Sequence, residues 1–318
     1  MIRRVTISIL KIAVSLALIL FLLIRLGFED ILNQFASARL SWLLVAVAAF
    51  TVSNILGSLQ WDLLLRYRGI KLPFSRIMSY YFVGLFFNNF LIGYVGGDAF
   101  RIYDISKVSG DSSSAFSTVF FDRFIGFVML TSLALFAGLM WHGIFQSQTV
   151  IVVILIIFVC WIISFFFLFS QRMARRIRWL VALIFTPKIN SKIREIYLNI
   201  NSFRSSKGTL LWIVLISTVI QALRIMVHYF VALSVGLDIH IKYFFVFIPI
   251  IALLSSLPIS IGGIGVRESS AIALFSQVNG FQPETIMAME FLAYMIGLIS
   301  TIPGGLIFML RKEISSPA

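Results

Sequence analysis

Apolar positions in this chain gather into long blocks, and short polar or basic stretches separate them. The blocks cover about 5–26, 40–64, 77–95, 115–141, 149–170, 209–235, 243–264 and 284–310. None shows the strict alternation of a half-buried strand, and most reach the roughly 20 residues that a helix needs to cross the hydrocarbon core. The pattern predicts an all-α, polytopic integral membrane protein that forms a single membrane domain over 1–318. The first block follows Met1-Ile2-Arg3-Arg4 like a signal peptide, but it is too long and no small-residue cleavage site follows it, so it reads as an uncleaved first helix.

Two blocks are interrupted. The block at 77–95 carries Asn88-Asn89 and Gly93 and runs into Gly96-Gly97; the block at 243–264 carries Pro249, Ser255-Ser256, Pro258 and Gly262-Gly263. The charges between blocks decide which side each loop occupies, because short cytoplasmic loops collect Lys and Arg. Arg3, Arg4 and Lys11 put the N-terminus inside, and Arg66, Arg68, Lys71 and Arg76 put the loop after 40–64 inside. The segment 171–207 holds Arg172, Arg175, Arg176, Arg178, Lys188, Lys192, Arg194, Arg204 and Lys207 against Glu195, so it is also inside. Counting back from it, 97–114 is cytoplasmic, and both ends of 77–95 then face the same side. Arg311 and Lys312 likewise bring the C-terminus inside and leave 243–264 entering and leaving from outside.

The expectation is therefore about six full transmembrane helices plus two re-entrant hairpins. Residues 1–39 form the first helix and outer loop, and 142–208 a connecting helix and basic segment. The repeats 40–141 and 209–310 have opposite orientation, and 311–318 is a cytoplasmic tail. A local match agrees with this division. Residues 91–101 align without a gap on 257–267, so that Gly96-Gly97 meets Gly262-Gly263 and Arg101 meets Arg267. Paired glycine- or proline-interrupted segments in corresponding halves point to a binding site between two repeats. Irregular backbone at membrane depth is tolerated only against protein or a watery cavity, so each hairpin is expected to wall a cavity.

Composition sharpens the class. The chain is 60% hydrophobic and 12% charged, about half the usual charged share of soluble domains. A net charge of +13 raises the question of a nucleic-acid partner, but the basic residues sit between apolar blocks, where inside bias and anionic lipid account for them. Ile177, Leu180, Val181, Ile184 and Phe185 fall at helical spacing among arginines, which fits a helix lying on the cytoplasmic leaflet or a plain basic loop. The single cysteine, Cys160, excludes a disulfide framework and any Cys-built metal site.

Charges inside apolar spans are costly, so they head the list of candidate residues. Asn88, Asn89, Gly96, Gly97, Asp98 and Arg101 surround the first turn, and Pro258, Gly262, Gly263, Arg267 and Glu268 the second. Asp122 and Arg123 lie early in 115–141, and Gln221, Arg224 and His228 share one face of 209–235 at i, i+3 and i+7. Arginine stays charged and presents a fork of donors suited to phosphate oxygens, while glycine pairs and helix N-termini near Gly97 and Gly265 add backbone N–H groups. Together these suit a phosphate-bearing amphiphile. Asp122, Glu290 and His228 are candidates for proton coupling. Plainer readings stand beside these: Asp98 as an N-cap, Asp122 as the counter-charge of an arginine, Arg267-Glu268 as interfacial residues, and His228 as an ordinary polar residue. No phosphate loop, metal spacing or nucleophile with a matched base is present, so neither a catalytic residue nor a cofactor is expected.

Asn88-Asn89-Phe90 through Gly96-Gly97-Asp98 and Arg101, then Asp122-Arg123, then Leu257-Pro258-Ile259-Ser260-Ile261-Gly262-Gly263-Ile264-Gly265-Val266-Arg267-Glu268 resemble the transmembrane domain of the lysylphosphatidylglycerol synthases. The resemblance covers nearly the whole chain, and it implies translocation of an anionic or modified lipid between leaflets. In the fused synthases a soluble C-terminal domain aminoacylates phosphatidylglycerol; this sequence stops at Ala318, so that activity is not implied. Ile92 stands where the family often has proline and Glu290 where arginine is common, which changes one turn and one local charge. The expected partners are lipids with anionic headgroups, and with them a separate lipid-modifying enzyme or glycosyltransferase, or a second copy of the chain. The expected location is the cell membrane. Two alternatives to a flippase remain at this stage: a secondary transporter of a small organic anion, and a non-transporting partner subunit of a lipid-modifying enzyme.

Overall fold

The computed structural model describes residues 38–89, 96–141, 148–169, 187–256, 265–276, 278 and 283–311, and these form helices and connections with no strand. In chain order the helices are α1 (Leu40–Tyr67), α2 (Phe74–Asn88), α3 (Gly96–Ser109), α4 (Ser112–Met140), α5 (Gln148–Phe169), α6 (Pro187–Ser202), α7 (Lys207–Ser234), α8 (Ile241–Ser255), α9 (Val266–Phe275) and α10 (Pro283–Leu310). Four of them, α1, α4, α7 and α10 from Thr285, are long and apolar enough to cross a membrane. The expected first helix at 5–26, the amphipathic set at 177–185 and the turn residues Pro258, Gly262 and Gly263 lie outside the described residues.

The interrupted blocks become half-length helices. α2 stops at Asn88, short of the expected 95, and Asn89 closes it in helical geometry with its own side chain donating to the Leu85 carbonyl at 3.1 Å. The segment 97–114, expected as a cytoplasmic connection with a helix starting near Gly97, is mostly helix α3, and α4 begins three residues earlier than its apolar block. Asp111 starts α4 by accepting the Ser114 backbone N–H at 2.9 Å. Burial raises the pKa of Asp111, but hydrogen bonds from Ser114 and Ser113 and the charge of Arg68 outweigh it and hold the carboxyl below its ordinary range. At the other interruption α8 ends at Ser255, and α9 starts after Gly265, whose φ of 85° suits a residue without a side chain.

Packing follows an exchange rule. α1 packs on α7; α2 packs on α10 as α4 packs on α8; α1 meets α4 as α7 meets α10. The contacts α1–α2, α2–α3 and α3–α4 recur as α7–α8, α8–α9 and α9–α10, and α1–α10 recurs as α7–α4. Swapping α1–α4 with α7–α10 thus returns the same set of neighbours. α5 and α6 stand outside the rule. α6 occupies part of the basic segment, so a plain loop is excluded for 187–202, and its end buries Asn199, Ile200 and Asn201 beside α4.

The bundle carries polar and charged side chains within an apolar core and apolar side chains on its outside. Leu44, Phe136, Ile163, Phe166 and Trp212 are exposed on outward faces, whereas Asn54, Asp104 and Glu290 are wholly buried. Large apolar residues facing outward and charges turned inward are what hydrocarbon surroundings demand. Two close helix approaches hold the interior. A Cβ on Gly97 would lie 1.8 Å from the Gly84 carbonyl oxygen, and one on Gly304 would lie 2.0 Å from the Phe82 carbonyl oxygen, so backbones touch directly where α3 and α10 meet α2. At the far end of α10, Arg311 donates to the buried Asp104 of α3 at 2.5 Å.

These contacts give predictions of opposite sign. Gly97→Ala and Gly304→Ala are each expected to destabilise the detergent-solubilised protein by about 1–3 kcal/mol through overpacking. Gly208→Ala, whose Cβ meets nothing within 4 Å, is expected to stabilise α7 by about 0.5–1 kcal/mol. Thermal unfolding of the three variants checks both signs.

Candidate functional site

A cavity of about 480 Å³ opens among the helices. Nine of the residues singled out in the sequence line it: Asn88, Asn89, Asp98, Asp122, Arg123, Gln221, Arg224, His228 and Arg267. They come from α2, α3, α4, α7 and α9, elements that are far apart in sequence, and the half-length helices deliver their ends to it. Its other half is apolar, with Phe50, Leu85, Phe127, Leu130 and Ile248 among the lining side chains.

Other singled-out residues stand one layer behind. Gly97 donates its backbone N–H to Asn88 Oδ1 at 3.0 Å, which closes α2 on the start of α3 at Gly96. Arg101 is almost fully buried and donates to Asp122 Oδ2 at 2.8 Å and Asp98 Oδ1 at 3.3 Å. Its guanidinium also lies 4.2 Å from the Trp61 ring centroid and 4.6 Å from that of Tyr81. Glu268 accepts the Gly265 backbone N–H at 2.6 Å and so serves the start of α9, in place of the exposed interfacial role allowed by its sequence.

The first acid cluster is closed on itself. Arg123 donates to both oxygens of Asp98, at 2.7 and 3.0 Å, and Gln60 donates to Asp122 Oδ1 at 2.7 Å. Asp98 therefore binds two arginines from the first turn of α3, and Asp122 holds one arginine and one amide. Burial of such charges is tolerated because each has an opposite partner with direct hydrogen bonds.

The α7 face differs. Arg224 lines the cavity without an acidic partner among the described residues, and its Nε is buried without a hydrogen bond. One turn further on, His228 Nδ1 lies 2.8 Å from Glu290 Oε1, and Glu290 is wholly buried in α10. Arg267 sits over the Tyr294 ring at 5.1 Å, the Tyr294 hydroxyl donates to the Asn89 carbonyl at 3.4 Å, and Asn89 donates to Thr301 at 2.9 Å.

Gln60, Tyr294, Thr301 and the Asp104–Arg311 pair were not singled out from the sequence. Gln60 carried a usable signal, an amide inside an apolar block three residues after Gly57. Among the described residues no group of His, Cys, Asp and Glu could hold a metal ion.

The profile of the family described as Lysylphosphatidylglycerol synthase TM region matches residues 8–304. A UPF0104 membrane protein of Pyrococcus horikoshii is 26% identical over 96% of this chain and 97% of its own length. A UPF0104 membrane protein of Methanothermobacter thermautotrophicus is 26% identical over 90% of this chain and 87% of its own.

The buried pairing makes a thermodynamic prediction. Arg101→Ala leaves Asp122 without its cation and is expected to cost about 3–5 kcal/mol of stability. Arg101→Ala with Asp122→Ala is expected to cost clearly less than the sum of the two single losses, which a double-mutant cycle in thermal unfolding measures.

Proposed function

Because the chain belongs to the lysylphosphatidylglycerol synthase TM-region family, we propose that this membrane protein translocates an anionic or modified (glyco)phospholipid between leaflets. The observation that carries the proposal is Arg224. It is a guanidinium without an acidic partner among the described residues, and it lines a cavity whose other half is apolar. A cation of this kind in a low-dielectric interior lacks a counter-ion that an arriving phosphate supplies, and the apolar wall suits the glycerol and first methylenes of a lipid. Asn88, Asn89, Gln221 and Arg267 contribute further polar contacts in the same cavity, and Arg123 adds a guanidinium already held by Asp98. No bond-making step is assigned to the chain.

The proposal includes a topology. α2–α3 enters from the cytoplasm, α8–α9 enters from outside, and the two halves 40–141 and 209–310 are inverted copies, with both termini cytoplasmic in the cell membrane. The exchange rule in the helix packing supports the copying, and the charge bias of the loops supports the inversion. The cavity then lies where the two copies meet, which is the place for a site exposed to each leaflet in turn.

Two experiments test this reading. In proteoliposomes carrying fluorescent phosphatidylglycerol, Arg123→Ala with Arg224→Ala is expected to slow leaflet exchange by roughly tenfold or more, the effect of losing hydrogen bonds to charge. Unchanged exchange refutes the site, and equal transport of a soluble glycerophosphate points to the organic-anion reading. For the topology, single cysteines replacing Ser75 and Ser109 in a Cys160→Ser background are expected to react with an impermeant maleimide from the same side. Labelling from opposite sides removes the re-entrant hairpin.

A further inference from the structure

The acids around the cavity are not equivalent. Asp98 and Asp122 each have arginine partners, and Glu268 is engaged by the Gly265 N–H. Glu290 has neither. It is wholly buried, its Oε1 faces His228 Nδ1 at 2.8 Å, and among the described residues its Oε2 has no hydrogen-bond partner. An ionised carboxylate with one lone neutral donor is poorly solvated at such a depth. The pair is far better matched when it holds one extra proton, as His⁺ beside carboxylate or as neutral His beside the acid.

Arg224 lies four residues before His228 on α7, on the same face, and both line the cavity. The other titratable groups that face this space are Tyr81 of α2, Asp98 of α3, Asp122 and Arg123 of α4, Arg267 of α9 and Tyr294 of α10. α1 and α8 line it with uncharged side chains. Histidine is the side chain whose charge ordinarily changes between about pH 5 and 8.

We infer that the His228–Glu290 pair is a proton-binding site linked to the headgroup site at Arg224, so that anion and proton are bound together. The inference rests on the proposed translocator reading and adds a coupled ion to it. The sign follows from electrostatics. Without the extra proton the pair carries a net negative charge one turn from the anion; with it the pair is neutral and the repulsion is gone. Anion binding therefore takes up a proton, and by reciprocity acid raises anion affinity. A cavity exposed to each leaflet in turn would then load lipid and proton on the acidic side and release both on the alkaline side.

The test uses the purified full-length protein in weakly buffered detergent with pyranine as the proton indicator and dihexanoyl-phosphatidylglycerol as the anion. Lipid addition near pH 7 is expected to take up a fraction of a proton per protein. Affinity is expected to rise on the order of tenfold between pH 8 and pH 6. Glu290→Gln and His228→Gln are each expected to abolish the uptake and flatten the pH dependence, and the variant that stays monodisperse suffices. Binding with the same uptake and pH dependence in wild type and variant overturns the proton site and leaves the translocator reading standing. If the wild-type protein neither binds this lipid nor exchanges it in liposomes, the translocator reading fails and the coupling fails with it.

Discussion

A charge placed in an apolar bundle needs a partner, and in this protein that requirement is met across helices. Arg101 is the centre of it. Its guanidinium ties α3 to α4 through Asp122, neutralises the first turn of α3 through Asp98, and lies against Trp61 of α1 and Tyr81 of α2. Four helices thus converge on one side chain. The direct backbone approach of Gly84 and Gly97 is what lets α3 come close enough for this, since any side chain there would collide with the opposite carbonyl. Packing and charge pairing are one arrangement here.

Against that background the α7 side of the cavity stands out by what it leaves unmatched. Among the described residues the arginines around Asp98 and Asp122 each meet a carboxylate, even though Arg101 Nε and Gln60 Oε1 stay unbonded, whereas Arg224 meets no acid and Glu290 no arginine. The unfinished side is where a ligand has something to gain, which is why both proposals sit there and neither sits at the better-connected charges.

The sequence carried the helices well, because uninterrupted apolar blocks have few alternatives to a helix in a bilayer. It also marked the half-length helices through Asn88-Asn89 and the glycine pairs, and nine of the chosen residues line one cavity. Pairing was not legible. Nothing in a string of letters says that Arg101 meets Asp122 and not Glu290, or that His228 meets Glu290 across 62 positions. Asp104 was hidden because 97–114 read as a connection outside the membrane, and Arg311 because its charge was already explained by sidedness. Gln60 was overlooked although its block marked it, because nothing in the sequence says which charge its amide meets; burial makes it a donor to Asp122.

The exchange rule in the packing conceals one asymmetry. The seam between α10 and the α2–α3 hairpin is riveted by directional bonds: Arg311 to Asp104, Asn89 to Thr301, Tyr294 to the Asn89 carbonyl. Its counterpart between α4 and α8 lies within an apolar cluster that includes Leu130, Ala134, Phe247 and Ile251. Apolar contact is non-directional, while hydrogen bonds also fix the direction of approach. Two seams with matching places in the packing therefore differ in kind: among the described residues one is crossed by directional bonds and the other by apolar contact.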